Sequence, residues 1–333
     1  MARHGLAPLA LLAHVVAVAG QDYYEEGVPL AMAFREGLKQ QTLRELESRG
    51  ESISIMAVGE SGLGKTSLLS SIFRTELVWP ENTADDAGRT MRIVEQSVGF
   101  DLEGVPFTTT LIDTPGYGDS VDLRQGFDVV SRRIDAGFRR LLLQEMRIRR
   151  AQPKPPPQQP GGAVDVVLYF FAPHRCKRAD LHMLRMLRGR VSIVPVLAKA
   201  DSMTADELER FRREVSATLR EARIETAHPP LAIIASSRPA GVGPHGREYP
   251  WGLAESEAAH AGYVHSELDR LRRFLLLDGL LDLKAASQAH YEAYRTRALR
   301  QRALGIKALV RALLSPAQVG AGPLANCMRI ARE

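Results

Sequence analysis

Residues 59–66 read Gly59-Glu60-Ser61-Gly62-Leu63-Gly64-Lys65-Thr66. This is the pattern G-x-x-x-x-G-K-[ST], in which a glycine-rich turn aims backbone N–H groups at phosphate oxygens. Glycine at 59, 62 and 64 supplies backbone angles and closeness of approach that a Cβ would deny. Lys65 offers a compact charge to β- and γ-phosphates, and the Thr66 hydroxyl is a natural Mg²⁺ ligand. An apolar run of strand length at 52–58 precedes the loop and a helical pattern at 66–73 follows it. With both flanks in place, a chance glycine-rich turn is a poor alternative.

Two further groups fit the same chemistry. Leu111-Ile112-Asp113-Thr114-Pro115-Gly116 ends an apolar run about 50 residues after the phosphate loop. An aspartate there can hold Mg²⁺ through water, and the Gly116 N–H can sense a γ-phosphate. Ala198-Lys199-Ala200-Asp201 follows the apolar run 191–198. A carboxylate at 201 accepts from guanine N1–H and from its N2 amino group, whereas adenine presents a bare N1 and no amino group, so GTP is favoured over ATP. The Lys199 stem can pack on the base plane.

The elements that must carry these groups alternate between strand and helix. Strand-like runs are expected at 90–99, 105–113, 164–171, 191–198 and 231–235, and helices at 41–49, 125–150, 179–188, 204–223, 264–277 and 279–300. The runs at 164–171 (VDVVLYFF) and 191–198 (VSIVPVLA) have the continuous apolar character of central parallel strands. In the helix 125–150, Phe127, Val130, Ile134, Phe138 and Leu141 fall on one face and Arg132, Arg133, Arg139, Arg140, Arg147 and Arg150 on the other. Residues 151–162 (AQPKPPPQQPGG) predict an extended, exposed loop. No internal repeat and no long heptad run is present.

Composition sets the outer bounds. The chain has 333 residues, 45% hydrophobic and 25% charged, which excludes a disordered, collagen-like or multi-span membrane protein. Lys+Arg 44 against Asp+Glu 39 leaves +5, too mild for a dedicated nucleic-acid binder, and no nucleic-acid partner is expected. Lysine occurs only at 39, 65, 154, 177, 199, 284 and 307, so arginine carries nearly all the positive charge. Cys176 and Cys327 make no disulfide framework and no zinc spacing, which favours a reducing, intracellular compartment. Residues 6–19 are apolar, with Arg3 and His4 before them and Ala17-Val18-Ala19-Gly20 at their end. The segment is shorter than the roughly 20 apolar residues of a spanning helix. It reads as a targeting segment, an interfacial anchor helix, or an apolar segment packed on the protein or a neighbouring subunit; the last two together are favoured.

With these residues assembled, the chain resembles the septins, filament-forming GTP-binding proteins, from about residue 52 to about 297. GESGLGKTSL (59–68), IDTPGYGDSVD (112–122) and IVPVLAKAD (193–201) look septin-like over their full lengths. Gly246-Arg247-Glu248-Tyr249-Pro250-Trp251-Gly252 is similar to the septin unique element, Glu145 with Arg150 fits a further septin pattern, and His290-Tyr291-Glu292 with Tyr294-Arg295 resembles the end of the family's GTPase domain. The resemblance implies a three-layer α/β P-loop GTPase (Ras-like) fold with septin-type C-terminal additions. It implies an N-terminal extension over 1–50, a GTPase domain over 51–300 with the unique element near 246–300, and a short tail over 301–333 without a coiled coil. Nucleotide contacts are implied for Gly59, Ser61, Gly62, Gly64, Lys65, Thr66, Ser67, Lys199, Asp201, Ala235 and Arg247, and Mg²⁺ contacts for Thr66, Asp113 and Thr90. Lys65, Gly116 and Thr90 carry the catalytic expectation, Thr90 as the switch threonine that orients water, or otherwise an ordinary strand threonine. Trp251, His174 and Tyr249 are implied at the nucleotide-side subunit interface. His174 stands where the family has a G-H-G loop, but Pro173 and Arg175 replace both glycines, and a plain loop histidine is equally in view. Other departures are the proline-rich stretch, a short link between residues 223 and 231, and Ala235 where the family has glycine.

Tyr117 follows Gly116 where Ras-like GTPases place a water-orienting glutamine, so slow turnover is expected. An arginine supplied in trans, Arg238 or Arg175, is a candidate addition, with solvated loop arginines as the alternative. The principal expectation is a GTP/GDP-binding protein that self-assembles, alone or with other septins, through an isologous nucleotide-side contact and an opposite one. The filaments would form a cytoplasmic, membrane-associated cytoskeletal scaffold, as in cell division. The rivals are a membrane-anchored switch GTPase that dimerises without polymerising, and a scaffold that binds GTP without turnover. The arginine face at 132–150 is a candidate for anionic lipid, or else a solvated helix face.

Overall fold

The computed structural model describes residues 50–73, 92–102, 104–117, 123–146, 162–235, 246–250, 252–255 and 266–314. The expected helix at 41–49, the apolar segment 6–19, Thr90, Arg238, Trp251 and nearly all of the proline-rich stretch lie outside them. The chain divides into two compact units, Ser52–Val98 with Thr109–Glu333, and Met1–Glu51 with Gly99–Thr108. In the smaller, the rings of Phe100 and Phe107 stack with centroids 5.0 Å apart, and Asp101 accepts from the N–H of Gly104 at 2.7 Å.

The elements run β1 (Glu51–Gly59), α1 (Lys65–Ile72), β2 (Val94–Leu102), β3 (Val105–Asp113), α2 (Leu123–Glu145), β4 (Val166–Phe171), α3 (Arg178–Leu187), β5 (Ser192–Ala198), α4 (Ala205–Glu221), β6 (Leu231–Ile233), β7 (Gly246–Tyr249), β8 (Gly252–Glu255), α5 (Leu268–Arg273) and α6 (Leu280–Leu314). Six strands form one sheet in the order β2-β3-β1-β4-β5-β6, and β7 and β8 form a separate antiparallel pair. β1, β4, β5 and β6 are mutually parallel, with Ala57 beside Leu168, Leu168 beside Val194 and Val196 beside Leu231.

The continuous apolar runs do what their composition requires. Met56, Val58, Val167, Tyr169, Phe171, Ile193 and Leu197 recur at every second residue and enter one core with α2, α3 and α4. The alternate residues Ile55, Ala57, Val166, Leu168 and Phe170, on the opposite face, are no more than 2% exposed. A sheet buried on both faces is the middle of three layers, as expected for the fold.

Helix α2 docks through Phe127, Val130, Ile134, Phe138 and Leu142, all buried. The last step is a correction: Leu141 lies at the edge of the stripe and Leu142 is inside, because four-residue steps hold the stripe on the core better than a closing three. Arg133 also leaves the expected outer face. Its side chain is 9% exposed, and the guanidinium forks onto Glu95 and donates to the Gly162 carbonyl at 2.9 Å, pinning the end of the proline-rich stretch. Gly137 permits this approach, since a Cβ there would meet the Gly162 oxygen at 2.5 Å. Arg132 and Arg139 are exposed as expected.

Two C-terminal expectations change. The first helix is short and closes in a π-helical turn, Phe274–Asp278, where the Phe274 ring lies over Gly279. The second does not stop near 300. Helix α6 runs unbroken from Leu280 to Leu314, so the boundary expected between domain and tail falls inside it. The sequence between is rich in Ala, Leu, Arg and Gln, and the single Gly305 costs only about 1 kcal/mol in a helix interior. In this helix Tyr291 and Tyr294 pack on Phe138, and Arg295 pairs with Glu145 at 3.0 Å; Arg150 lies outside the described residues.

Candidate functional site

In an open parallel sheet, ligands bind beyond the carboxyl ends of the strands where the strand order reverses. Here the reversal lies between β1, which continues the order toward β3, and β4. The loops leaving β1, β4, β5 and β6 therefore converge, and they carry residues 60–64, 172–177, 199–204 and 234–235.

The loop after β1 is shaped by three contacts. A Cβ on Gly59 would lie 2.7 Å from the Phe170 Cβ, so the strand end fits against β4 only as glycine. Gly62 and Gly64 have φ of 73° and 84°, in the left-handed region. Gly64 is the N-cap of α1 and makes no side-chain cap. The first N–H groups of α1 thus face the loop, the arrangement suited to phosphate. Lys65 is 7% exposed and its ammonium donates to the carbonyls of Gly59 at 3.2 Å and Glu60 at 2.9 Å, which hold it over the loop. Leu68 and Leu69 anchor α1 in the core, leaving Ser67 half-exposed at the cleft.

The end of β3 meets this loop. The Thr66 hydroxyl donates to Asp113 Oδ2 at 2.5 Å, bringing together a hydroxyl and a buried carboxylate from residues 47 apart. Hard oxygen donors of this kind suit Mg²⁺, which takes few protein ligands and completes its shell with water and phosphate. Among the described residues no group of three or more His, Cys, Asp or Glu offers an all-protein cation site. Thr114 donates to the Ala57 carbonyl at 2.7 Å and locks the turn to β1. Gly116 then passes so close to the phosphate loop that a Cβ would sit 2.4 Å from the Ser61 Cα, and the Ser61 N–H donates to the Tyr117 carbonyl at 3.3 Å.

On the other side of the cleft, Lys199 adopts φ 51° and leads into a single 3₁₀ turn, Ala200–Ser202, whose Ser202 N–H returns to the Lys199 carbonyl at 2.9 Å. Asp201 is half-buried and accepts a hydrogen bond from the Tyr249 hydroxyl. Tyr249, expected at a subunit interface, thus contacts the residue expected to read the base. Ala235, two residues past the end of β6, has its Cβ 3.4 Å from where a Cβ on Gly64 would be, so it narrows the passage between phosphate and base ends. Gly62, Gly64, Ser67, Phe170, Lys199 and Ala235 line one cleft of about 230 Å³. The phosphate loop and Lys199, far apart in sequence, therefore line one cleft, and the remaining motif joins the phosphate loop through Asp113 on Thr66 and Gly116 against Ser61.

The base-side strand is braced from behind. Glu267 accepts from the Ala232 N–H at 2.8 Å and from the Arg212 fork at 2.8 and 3.3 Å, and Ser266 accepts from the Ile234 N–H at 3.1 Å. Burial alone would raise the Glu267 carboxyl, but the hydrogen bonds from Arg212 and Ala232 outweigh it and hold it below the usual range.

His174 and Arg175 lie in the loop after β4, both exposed, His174 at φ 57°. The structure does not bring them into the cleft of this chain. The backbone of Arg247 is paired with Ala254 in the β7–β8 hairpin, and its side chain lies outside the described residues, as do Thr90, Arg238 and Trp251. Lys177, Tyr169 and Asp180, which no motif picked out, and Glu60, which stands at an unspecified position of the phosphate-loop motif, crowd around Tyr117 behind the phosphate loop. Apart from the Lys177 N–H on Asp180, three residues away, their contacts span 11 to 117 residues, beyond the reach of a local signal.

Comparison with known proteins agrees with this geometry. A family model described as Septin matches residues 49–237 and 226–308. Septin-2 of Mus musculus and of Bos taurus are each 31% identical over 296 residues, covering 79% of this chain and 79% of theirs. Septin-2B of Xenopus tropicalis is likewise 31% identical and 80% covered. A solved structure, described as the septin GTPase domain from Chlamydomonas reinhardtii, aligns with TM-score 0.56 and 27% identity over 74% of this chain and 99% of that one.

Proposed function

The chain belongs to the septin family of GTP-binding proteins, and on that footing we propose that it binds GTP or GDP with Mg²⁺ in the cleft between β1 and β6, hydrolyses GTP slowly, and assembles through the nucleotide-side face. The observation that carries this reading is that the phosphate loop and Lys199 line one cavity, while Thr66, next in the chain after Lys65, is bonded to Asp113.

Each residue's part follows from its position. Backbone N–H groups from Gly62 to Thr66 cradle the phosphates, and Lys65, held over the loop, adds the point charge. Thr66 and Asp113 would hold Mg²⁺, which when bound neutralises charge on the phosphate oxygens. Gly116 presents its N–H to the γ-phosphate. Asp201 reads guanine while the Lys199 stem covers the base, and Ala235 and Arg247 complete the base side. Slow turnover follows from Tyr117, whose hydroxyl is committed to Asp180 and points no donor at an attacking water, leaving that task to Thr90. The exposed His174 and Arg175, with Tyr249 and Trp251, are the candidates for contact with a second copy. Arg238 is the other candidate for a charge supplied in trans. Arg132 and Arg139, exposed among the described residues, are candidates for an anionic lipid surface along with Arg140, Arg147 and Arg150 of the same expected face, whereas Arg133 is used internally. Among the described residues no helix is long and apolar enough to cross a membrane.

The test is to purify the full chain, identify any retained nucleotide by chromatography after denaturation, follow single-turnover GTP cleavage, and image the protein by negative stain as salt is lowered. Retained guanine nucleotide, slow phosphate release and elongated filaments at low salt are expected. A protein that retains no guanine nucleotide would sink the reading. Binding with a persistent dimer on vesicles and no filaments would replace the scaffold with a membrane-bound switch.

A further inference from the structure

Behind the phosphate loop lies a buried polar cluster that the nucleotide contacts do not use. Tyr117 donates to Asp180 Oδ1, Tyr169 donates to the same oxygen at 3.0 Å, and the two phenol oxygens are themselves in contact. All three side chains are at most 5% exposed. Burial first, and the Asp180 carboxylate after it, push the Tyr117 phenol far above its ordinary range; burial does the same to Tyr169. Both phenols therefore keep their protons and remain donors.

The cluster is part of a closed ring. Asp180 Oδ2 accepts from the Lys177 N–H at 2.7 Å, and the Lys177 ammonium reaches Glu60 Oε1 at 2.6 Å. Glu60 is bridged in parallel to Tyr117, and Ser61 donates to the Tyr117 carbonyl. Starting from Tyr117, the path runs through Asp180, Lys177 and Glu60 and returns to Tyr117. It ties together the residue after Gly116, the second residue of the phosphate loop, and the loop 173–177 that exposes His174 and Arg175.

Such a ring cannot yield at one member alone. If Gly116 moves, Tyr117 moves with it. A Tyr117 phenol that left Asp180 would take one donor from a carboxylate only 5% exposed, leaving Tyr169 alone on that oxygen, a costly state in a buried network. The alternative is for Asp180 to follow, and with it the Lys177 backbone at the start of α3.

We propose that Tyr117 and Asp180 are positioning residues that couple the γ-phosphate contact at Gly116 to loop 173–177, so that the nucleotide bound in the cleft sets the conformation of the surface carrying His174 and Arg175. The proposal rests on the reading of Gly116 as the γ-phosphate contact.

The experiment is peptide-resolved hydrogen exchange on the full chain with Mg²⁺ and either GDP or a non-hydrolysable GTP analogue, in the wild type, Tyr117→Phe and Lys177→Met. Tyr117→Phe keeps the ring that packs on Phe127 at 5.4 Å and removes only the hydroxyl, and Lys177→Met cuts the other arm without touching the buried cluster. In the wild type, exchange over 173–177 is expected to differ between the two nucleotides by about fivefold, the worth of one net hydrogen bond. In either variant both nucleotides still bind and that difference collapses. A wild type that binds both nucleotides with identical exchange over 173–177, or variants that keep the wild-type difference, overturn the coupling alone. A wild type that binds no guanine nucleotide overturns the functional reading beneath it, and the coupling with it.

Discussion

The Tyr249 hydroxyl donates a hydrogen bond to the carboxylate of Asp201, joining the β7–β8 hairpin to the turn after β5 across 48 residues. A carboxylate oxygen has two acceptor positions, so Tyr249 and a guanine can use Asp201 together. The phenol then serves to hold the carboxylate in one rotamer before the base arrives, which removes an ordering cost from binding. Tyr249→Phe is expected to lower affinity for GDP by about five- to tenfold, the equivalent of roughly 1 kcal/mol for a hydrogen bond, with little change in melting temperature. Titration of a fluorescent GDP against the two proteins measures it; equal affinities would show that Tyr249 does not position Asp201.

Lys65 should not tolerate arginine. Its ammonium fits between the carbonyls of Gly59 and Glu60 in a position only 7% exposed, and a planar guanidinium is too wide for that site and spreads its charge. Lys65→Arg and Lys65→Ala are both expected to lose about 10- to 100-fold in GTP affinity, as for hydrogen bonds to a charged group, while far-ultraviolet circular dichroism stays unchanged. An arginine variant that binds like the wild type would show that Lys65 acts through charge alone.

The parts of this site that sequence shows clearly are local. A strand, a glycine loop and a helix follow one another within residues 51–72, so spacing alone places Gly59, Lys65 and Thr66. Asp113 and Asp201 are legible because each closes an apolar run. What sequence hides is contact at a distance. Arg133 lies on the polar side of a helical wheel, yet Glu95, 38 residues away, draws it inward. Asp180 looks like an ordinary first-turn acid of α3 until Tyr117 and Tyr169 are seen folded onto it. The scarcity of lysine has a wider cause than nucleotide chemistry. Lys177 and Lys284 reach the carboxylates of Glu60 and Asp165, where a slim ammonium at 2.6 and 2.9 Å meets one oxygen. The β7–β8 hairpin is not legible because each strand is only 4 residues long, too short to show an alternating pattern.

Gly116 is expected to be as sensitive as Lys65, for a different reason. A Cβ would lie 2.4 Å from the Ser61 Cα and 2.5 Å from its nitrogen, both backbone atoms of the phosphate loop that cannot swing aside. Gly116→Ala must displace the loop or the turn, which as overpacking costs about 1–3 kcal/mol of stability. The displacement should also erase any preference for GTP over GDP, since the contact that distinguishes them is moved. Thermal melts and paired affinities for the two nucleotides test both parts; an alanine variant with wild-type stability and preference would show that the two segments are free to separate.

His290 gives the fold a pH dependence with a definite sign. It is half-buried in α6, its Nδ1 has no hydrogen-bond partner, and burial lowers its pKa below the ordinary value near 6.5. The unfolded chain therefore takes up a proton at this residue at a higher pH than the folded chain does. Between the two values the unfolded state binds more protons, so stability falls as pH drops. The contribution is whole above about pH 6.5, is lost progressively below it, and levels off once the folded form is protonated too. Melting temperatures of the wild type and His290→Gln, taken from pH 7.5 down to pH 5, should diverge: the wild type loses stability more steeply below about pH 6.5, and the glutamine variant, with nothing to titrate, shows the shallower slope. Parallel curves for the two proteins would show that His290 is solvated well enough to take its proton in the folded state at no cost.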